Sequence, residues 1–444
     1  MNQKSCFSEF IRYTIFSVFG TLGVSCYILA DTFFVSKGLG ADGLTALNLA
    51  IPVYNFIHGT GLMVGMGAAT RFSICKSQRK KEEVHRIYTN SIYFAAAASA
   101  VFFLAGLFLA GDLAGLLGAD ADTLQMTETY LRWLLIFAPA FIFNDVFLCF
   151  VRNDESPQLS MAAMLTGSFA NIVLDYIFIF PMEMGIFGAV FATGLSPVIS
   201  MVMMLPHWIR KKNTFHFKKT KISGVIVGQT AALGFPSLVA QLSSGIVMIT
   251  LNTMILKLEG NTGVAAYGVI ANLSLVLAAV YTGIAQGIQP LISSFHGKQK
   301  NAQLFAVRRY AMITMAVISC LVYSLFVIFA QPIVSAFNSE HLLGLQEIAV
   351  KGLKLYFTAS LFMGYNIVLA TFFTSVERAV PAHILSVLRG IVLIIPVAVV
   401  LEKACGMTGV WLACPITELV VAVLGAVYYL IYQRKIKLIT KNMN

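Results

Sequence analysis

Charge is scarce in this sequence. Aspartate, glutamate, lysine and arginine make up only 11% of its 444 residues, against about 25% in a typical soluble domain. A soluble fold that is 58% hydrophobic would have too little charge to cover its surface, and the same balance excludes disorder. Catalytic signatures are also missing. Cys6, Cys26, Cys75, Cys149, Cys320, Cys405 and Cys414 are scattered, with no C-x-x-C, so neither a disulfide framework nor a metal site is indicated. Most lie in apolar segments, where a thiol serves as a small hydrophobe. There is no H-E-x-x-H and no phosphate-binding loop, which disfavours metal-assisted hydrolysis and ATP-driven work. His58 and His383 are far apart in sequence and mark no cluster for a membrane-embedded enzyme.

Long apolar runs are what the sequence has instead. Mean hydropathy is +0.80. The twenty-residue runs 91–110 and 311–330 contain no charge at all, and about 20 apolar residues suffice to span a bilayer as a helix. Twelve apolar segments are read, near 12–34, 44–70, 88–110, 129–151, 158–180, 184–206, 224–256, 264–293, 306–330, 352–374, 381–401 and 407–431. Barrel strands alternate over only about ten residues, so the fold class is an all-α integral membrane protein with twelve transmembrane helices. The first segment is long for a signal peptide, shows no A-x-A site and is followed by many more spans.

Basic residues set the expected orientation. Arg71, Lys76, Arg79, Lys80, Lys81 and Arg86 follow span 2, and Arg210, Lys211, Lys212, Lys218, Lys219 and Lys221 follow span 6. Lys298, Lys300, Arg308 and Arg309 follow span 8, and Arg434, Lys435, Lys437 and Lys441 form the tail. The alternate loops carry Asp112, Asp120, Asp122, Glu128, Glu340 and Glu347. Both termini are expected in the cytoplasm, with the chain multi-pass in the membrane. The net charge of +11 is then a cytoplasmic bias, with no fold left over to present a nucleic-acid face.

The chain repeats itself. GIFGAVFATGLSP (185–197) resembles GMTGVWLACPITE (406–418), and GLTAL (43–47) resembles GVAAY (263–267). Gly67 falls on Gly287, and Pro157 and Pro381 each open a span. All four anchors share an offset near half the chain length. Two six-helix lobes of one orientation follow, related by an axis along the membrane normal with a cleft between them. The expected division is 1–206 for the N-lobe, 207–223 for a charged connection, and 224–444 for the C-lobe with its basic tail.

Buried acids then become the question. Asp175 lies eighteen residues past Pro157 and Asp31 nineteen past Arg12, about 27 Å up each helix at 1.5 Å per residue. A carboxylate at such depth pairs with another group or faces a cavity, and two acids sharing one low-dielectric site resist ionising together, as a proton carrier requires. Asn171 shares a helix face with Asp175, and Asn144 and Thr193 lie at middling depths of the same lobe. The bland alternatives are a helix-end Asp31, a satisfied structural Asp175, and interhelical bonds for Asn144 and Thr193. Asp145 is expected to pair with Arg132 or the backbone. Glu418 in span 12 is a further buried acid, with Arg389 as its candidate partner. Gln229, Gln241, Ser243, Ser244, Asn252, Asn272, Gln286 and Gln289 line a permeation cleft or join helices. Methionine and phenylalanine, at 18 and 34 copies, suit a cleft for varied lipophilic cations, although lipid-facing helices use phenylalanine freely too.

Several stretches resemble the multidrug and toxic compound extrusion (MATE) transporters over nearly the whole chain: ADTFFVSKGLGADGLTALNLAIP (30–52), VRNDESP (151–157), ANIVLDYIFIF (170–180), GIFGAVFAT (185–193), LGFPS (233–237), GIAQGIQPLISSFHG (283–297) and GVWLACPITE (409–418). The subgroup resembled is the MepA-type bacterial exporters. The resemblance implies a V-shaped molecule that exports cationic amphipathic compounds in exchange for inward H⁺ or Na⁺. It also implies an N-lobe ion site at Asp31, Asn144, Asn171, Asp175 and Thr193. Two departures stand out. Span 1 has Gly20 and Gly23 where some relatives have a bending proline, and spans 7 and 10 offer Ser243, Ser244 and Asn366 where sodium-coupled relatives have acids. Coupling is therefore expected in the N-lobe, with no cofactor beyond the ion, membrane lipid as surroundings and a monomeric state. The competing readings are a lipid-linked saccharide flippase, which would want a strongly cationic cavity, another small-molecule exporter, or a membrane enzyme.

Overall fold

Two glycines turn the longest helical stretches back on themselves. The computed structural model describes the backbone over 3–338 and 342–443, and side chains over 5–338 and 342–434. Glu340 and the side chains of Lys435, Lys437 and Lys441 lie outside the described residues. Helix α1 (Gln3–Ser77) breaks at Gly40 (φ 69°, ψ −154°) and helix α9 (Gly224–Gly297) at Gly260 (φ 61°, ψ −155°), a backbone region open essentially only to glycine. The hydroxyls of Tyr27 and Tyr54 meet at 2.5 Å. In an unbroken helix those residues would stand about 40 Å apart, so α1 is a hairpin holding spans 1 and 2. Gly260 takes the equivalent place in α9, between spans 7 and 8.

The remaining spans follow in order. Span 3 is α2 (Lys81–Phe108), trailed by the short α3 (Ala110–Leu116). Span 4 joins α4 (Leu124–Ile136) to α5 (Ala138–Asn153) through a 45° bend, next to Pro139, which cannot extend the backbone ladder. Span 5 is α6 (Pro157–Ile179) and span 6 is α7 (Gly185–Met204), followed by the single turn α8 (Pro206–Ile209). Span 9 is α10 (Asn301–Ile328), trailed by α11 (Ala330–Phe337). Span 10 runs from α12 (Leu343–Tyr356) through a 3-10 turn into α13 (Ser360–Ser375). Span 11 passes from α14 (Ala379–Val387) through a π turn, Leu388–Val392, into α15 (Ile394–Cys405). Pro396 has no N–H to offer the Val392 carbonyl, which favours the wider turn just before it. Span 12 opens α16 (Met407–Met443). The bends in spans 4, 10 and 11 were not evident from hydropathy. Gly20 and Gly23, considered above as bending points, lie instead in regular helix against Met164 and Leu165 of span 5.

Two large hydrophobic cores form, one per lobe, with two smaller clusters in the N-lobe, and each large core receives the first turns of the other lobe. Cys6, Phe10 and Tyr13 of span 1 belong to the C-lobe core, and Ile226 of span 7 belongs to the N-lobe core. Span 1 runs antiparallel to span 8, with Gly283 on Val18 and Gly287 on Thr14. Span 2 likewise meets span 7, with Gly59 on Leu238 and Gly67 on Thr230. A β-carbon on Gly67 would lie 2.0 Å from the Thr230 carbonyl oxygen, so this seam needs bare backbone.

Polar groups close the same end. Asn153 Nδ2 donates to Gln289 Oε1 at 2.9 Å, Gln289 Nε2 donates to Thr70 at 3.0 Å, and Ser73 donates to Asn153 at 2.7 Å. Arg152 reaches Gln286 across the seam, and Arg71 pairs with Glu377 at 3.3 Å. Farther along, Asn55 Nδ2 lies 3.5 Å from Ser244 Oγ. Beyond that point the lobe-facing stripes carry Asn48 and Asn272, both exposed, and the half-buried Asn252. The V therefore closes at the end bearing the basic loops and opens at the other.

The connection 207–223 is strapped to the N-lobe. Asp154, its side chain fully buried, takes Lys76 Nζ at 2.7 Å, His207 Nε2 at 3.0 Å and the Thr214 N–H at 2.8 Å. Burial pushes this carboxyl up, but those donors outweigh it and hold it down at about 2.

Candidate ion and substrate site

Span 1 packs beside span 5 in parallel, Gly23 on Leu165 and Gly38 on Ile179, and this register puts Asp31 level with Asp175. The two carboxyl groups face each other within hydrogen-bonding reach. Asp31 is 6% exposed and Asp175 0%. Neither has a basic partner among the described residues. Asn171 Nδ2 donates to Thr193 Oγ1 at 3.4 Å, and Thr193 donates in turn to the Ala189 carbonyl at 3.0 Å. Asp31 Oδ1, both oxygens of Asp175 and Asn171 Oδ1 are buried without any hydrogen-bond donor. Such a cluster of acceptors is costly unless a proton or a cation joins it.

Four of the five N-lobe residues singled out from sequence thus come together. No hydrogen bond joins Asn144 to them among the described residues. Its Oδ1 is buried and unpartnered, but Phe137, seven residues earlier, is the level at which span 4 meets Gly194, so Asn144 lies about 10 Å nearer the basic end. Span 4 contributes Tyr130 instead, a buried tyrosine close to Thr193 and both acids. Nothing in the local sequence sets Tyr130 apart from the other 15 tyrosines. Only the 45° bend aims that end of the span.

Two pairings differ from expectation. Arg132 pairs with Glu128 one turn before it, because a surface i,i+4 partner is nearer than a buried acid. Asp145 instead faces span 2, where Gly61 lets it approach, and His58 Nδ1 stands 2.8 Å from its Oδ2. The two side chains thus approach closely without hydrogen-bond alignment. Arg152, which nothing in the sequence alone singles out, is 2% exposed and sits within the inter-lobe seam.

The residues singled out for the cleft separate by position. Asn252 and Asn272 lie on its walls, Gln241 packs at its floor beside Gly59, and Gln286 is taken up by Arg152 in the seam. Gln229 is exposed near the start of span 7, at the basic end and about 35 Å of helix from Asn252; it stands apart from the cleft. Glu418 is 8% exposed. It accepts from Arg389 Nε at 2.5 Å and from Asn366 Nδ2 at 2.7 Å, so the expected partner is the observed one.

The family model MatE matches residues 17–177 and 236–400. The chain belongs to the MatE family. A curated relative, the multidrug export protein MepA of Staphylococcus saprophyticus, is 25% identical over 97% of this chain and 95% of its own. MepA of Staphylococcus aureus is 25% identical over 92% and 90%. Among solved structures, a multidrug resistance MATE family transporter in an outward-facing conformation superimposes with a TM-score of 0.90 at 23% identity, over 97% of this chain and 96% of that one. A transporter from Pyrococcus furiosus described as having reversed pocket polarity gives 0.88 at 24%, over 95% and 94%. These likenesses give the fold as twelve helices in a two-lobed V. MatE members are transporters, so the missing catalytic motifs fit the family.

Proposed function

We propose that this MatE chain is a secondary active multidrug exporter that exchanges cationic amphipathic compounds for H⁺ or Na⁺ entering through the N-lobe. The observation that carries this reading is the facing of Asp31 and Asp175, buried together with no base beside them. With the basic loops in the cytoplasm of a bacterial cell, the cleft faces outward and gives an external ion access to the N-lobe. Ion binding at Asp31 and Asp175 neutralises the site and changes how spans 1, 5 and 6 pack. The seam at the basic end then opens, cytosolic drug enters, and the ion leaves inward. Each positive charge entering gains about 2.3 kcal/mol per 100 mV of membrane potential, and this drives export only if ion and drug occupancy are coupled. The saccharide-flippase reading would want several cations in the cleft, whereas Arg152 is buried in the seam and Arg389 is a single guanidinium whose charge Glu418 offsets.

The test is efflux of an ethidium-type cation from proteoliposomes under separately imposed ΔpH and ΔNa⁺. Wild type should respond to one gradient, and Asp175→Asn, inserted at normal yield, to neither. Gradient-driven efflux by Asp175→Asn would refute the reading, and wild-type transport driven by neither gradient would favour a flippase.

A further inference from the structure

The C-lobe presents a guanidinium to the cleft by its free end. Arg389 sits in the π turn of span 11 and gives its Nε–H to Glu418 Oε1 at 2.5 Å. The other oxygen of Glu418 and its backbone carbonyl both accept from Asn366 Nδ2, at 2.7 and 2.8 Å. The carboxylate is thus fixed on both sides and grips the guanidinium at one nitrogen. Nη1 and Nη2 of Arg389 have no protein acceptor among the described residues. The arginine side chain is 22% exposed, against 10% for Glu418. A charged group with that exposure inside a span faces water rather than lipid. Its neighbour Gly390 lies directly on Ser243 of span 7, and Ser244 reaches Asn55 of the other lobe. Arg389 therefore stands at the cleft floor, where the lobes first touch. Asn366 Oδ1 is buried there without a donor, an acceptor left over for a bound molecule.

We propose that Arg389 is a substrate-recognition residue whose Nη fork binds the carboxylate of zwitterionic amphipathic compounds. This rests on the export reading and refines it, because Glu418 and Asn366 position the fork while the apolar cleft takes the lipophilic body. A guanidinium held from behind loses little freedom on binding, and its two remaining N–H edges match a carboxylate in geometry. Lysine at the same place would keep the charge and lose the fork. The N-lobe acids have no part in this contact, so ion coupling and carboxylate recognition lie in different lobes.

Rhodamine B and its methyl ester share one cationic dye and differ only in the carboxylate. Their affinities for purified full-length protein, read by fluorescence anisotropy, test the proposal whether or not transport is seen. In Arg389→Gln/Glu418→Gln, which leaves no charge buried alone, affinity for the acid should fall about tenfold, as expected when a charge-assisted contact is lost. The ester should stay within about twofold, since it makes no such contact. Arg389→Lys should weaken the acid by an intermediate amount. Equal shifts for acid and ester, or no shift for either, would overturn the assignment. Efflux of the ester by wild type reports separately on the export reading.

Discussion

Each lobe buries acid within its spans, and the two lobes treat it in opposite ways. In the N-lobe, Asp31 and Asp175 face one another with no base and several acceptor oxygens unpartnered. In the C-lobe, Glu418 is neutralised by Arg389 and held by Asn366. An acid that already has its counter-ion has little reason to take another, whereas two that lack one must acquire it. On the function proposed here, the two lobes divide two tasks, ion exchange in the N-lobe and a fixed charge pair in the C-lobe.

Exchanging the neutral amide for each acid in turn would break this contrast most sharply. Asp175→Asn should reduce gradient-driven efflux to the level of protein-free vesicles, while Glu418→Gln should still respond to the gradient. Next in size is the stability of the C-lobe pair. Removing one member strands the other and should cost about 3–5 kcal/mol, whereas removing both is far milder. Chemical unfolding in detergent should therefore show Glu418→Gln well below Arg389→Gln/Glu418→Gln.

Asp154 sharpens the comparison as a third buried acid, one saturated with donors. Its carboxyl is held at about 2 in the folded chain, below the usual unfolded value of about 3.9, so ionised Asp154 should contribute roughly 2–3 kcal/mol. Because the folded value is the lower one, that contribution is complete above the unfolded value and is lost as pH falls through about 2. Asp154→Asn should be less stable than wild type at pH 7, and the gap should close between pH 4 and 2. The smallest effect concerns the seam, where the lobes are most alike. Gly67→Ala should disfavour the closed basic end by about 1–3 kcal/mol of overpacking. Cross-linking between Asn55→Cys and Ser244→Cys, in a background free of the native cysteines, should fall accordingly.

The sequence was most readable where one helix decides the matter. Apolar length gave the spans, and lysine and arginine gave two chemically distinct ends. The near-220 spacing found Gly67 and Gly287, which prove to meet the other lobe at matching places. Asp175 stood out because a carboxylate among IVL and IFIF needs an explanation on its own terms, and Asp31 because it lies at a similar height in span 1. Pairings between helices were less readable. His58 with Asp145, Arg152 with Gln286, and Tyr130 beside Thr193 depend on how each helix is rotated and bent, which apolar length does not encode. Glu418 with Arg389 was the exception, because few other opposite charges lie within those spans.

Ion exchange on the purified protein bears most directly on the claim that the N-lobe acids alone trade charge. Proton release in weak buffer, or displacement of bound ²²Na⁺, can be followed as a cationic drug is added. Wild type and Glu418→Gln should both release the ion, and Asp31→Asn/Asp175→Asn should release none. Release that persists in the double variant, or disappears in Glu418→Gln, would contradict the account.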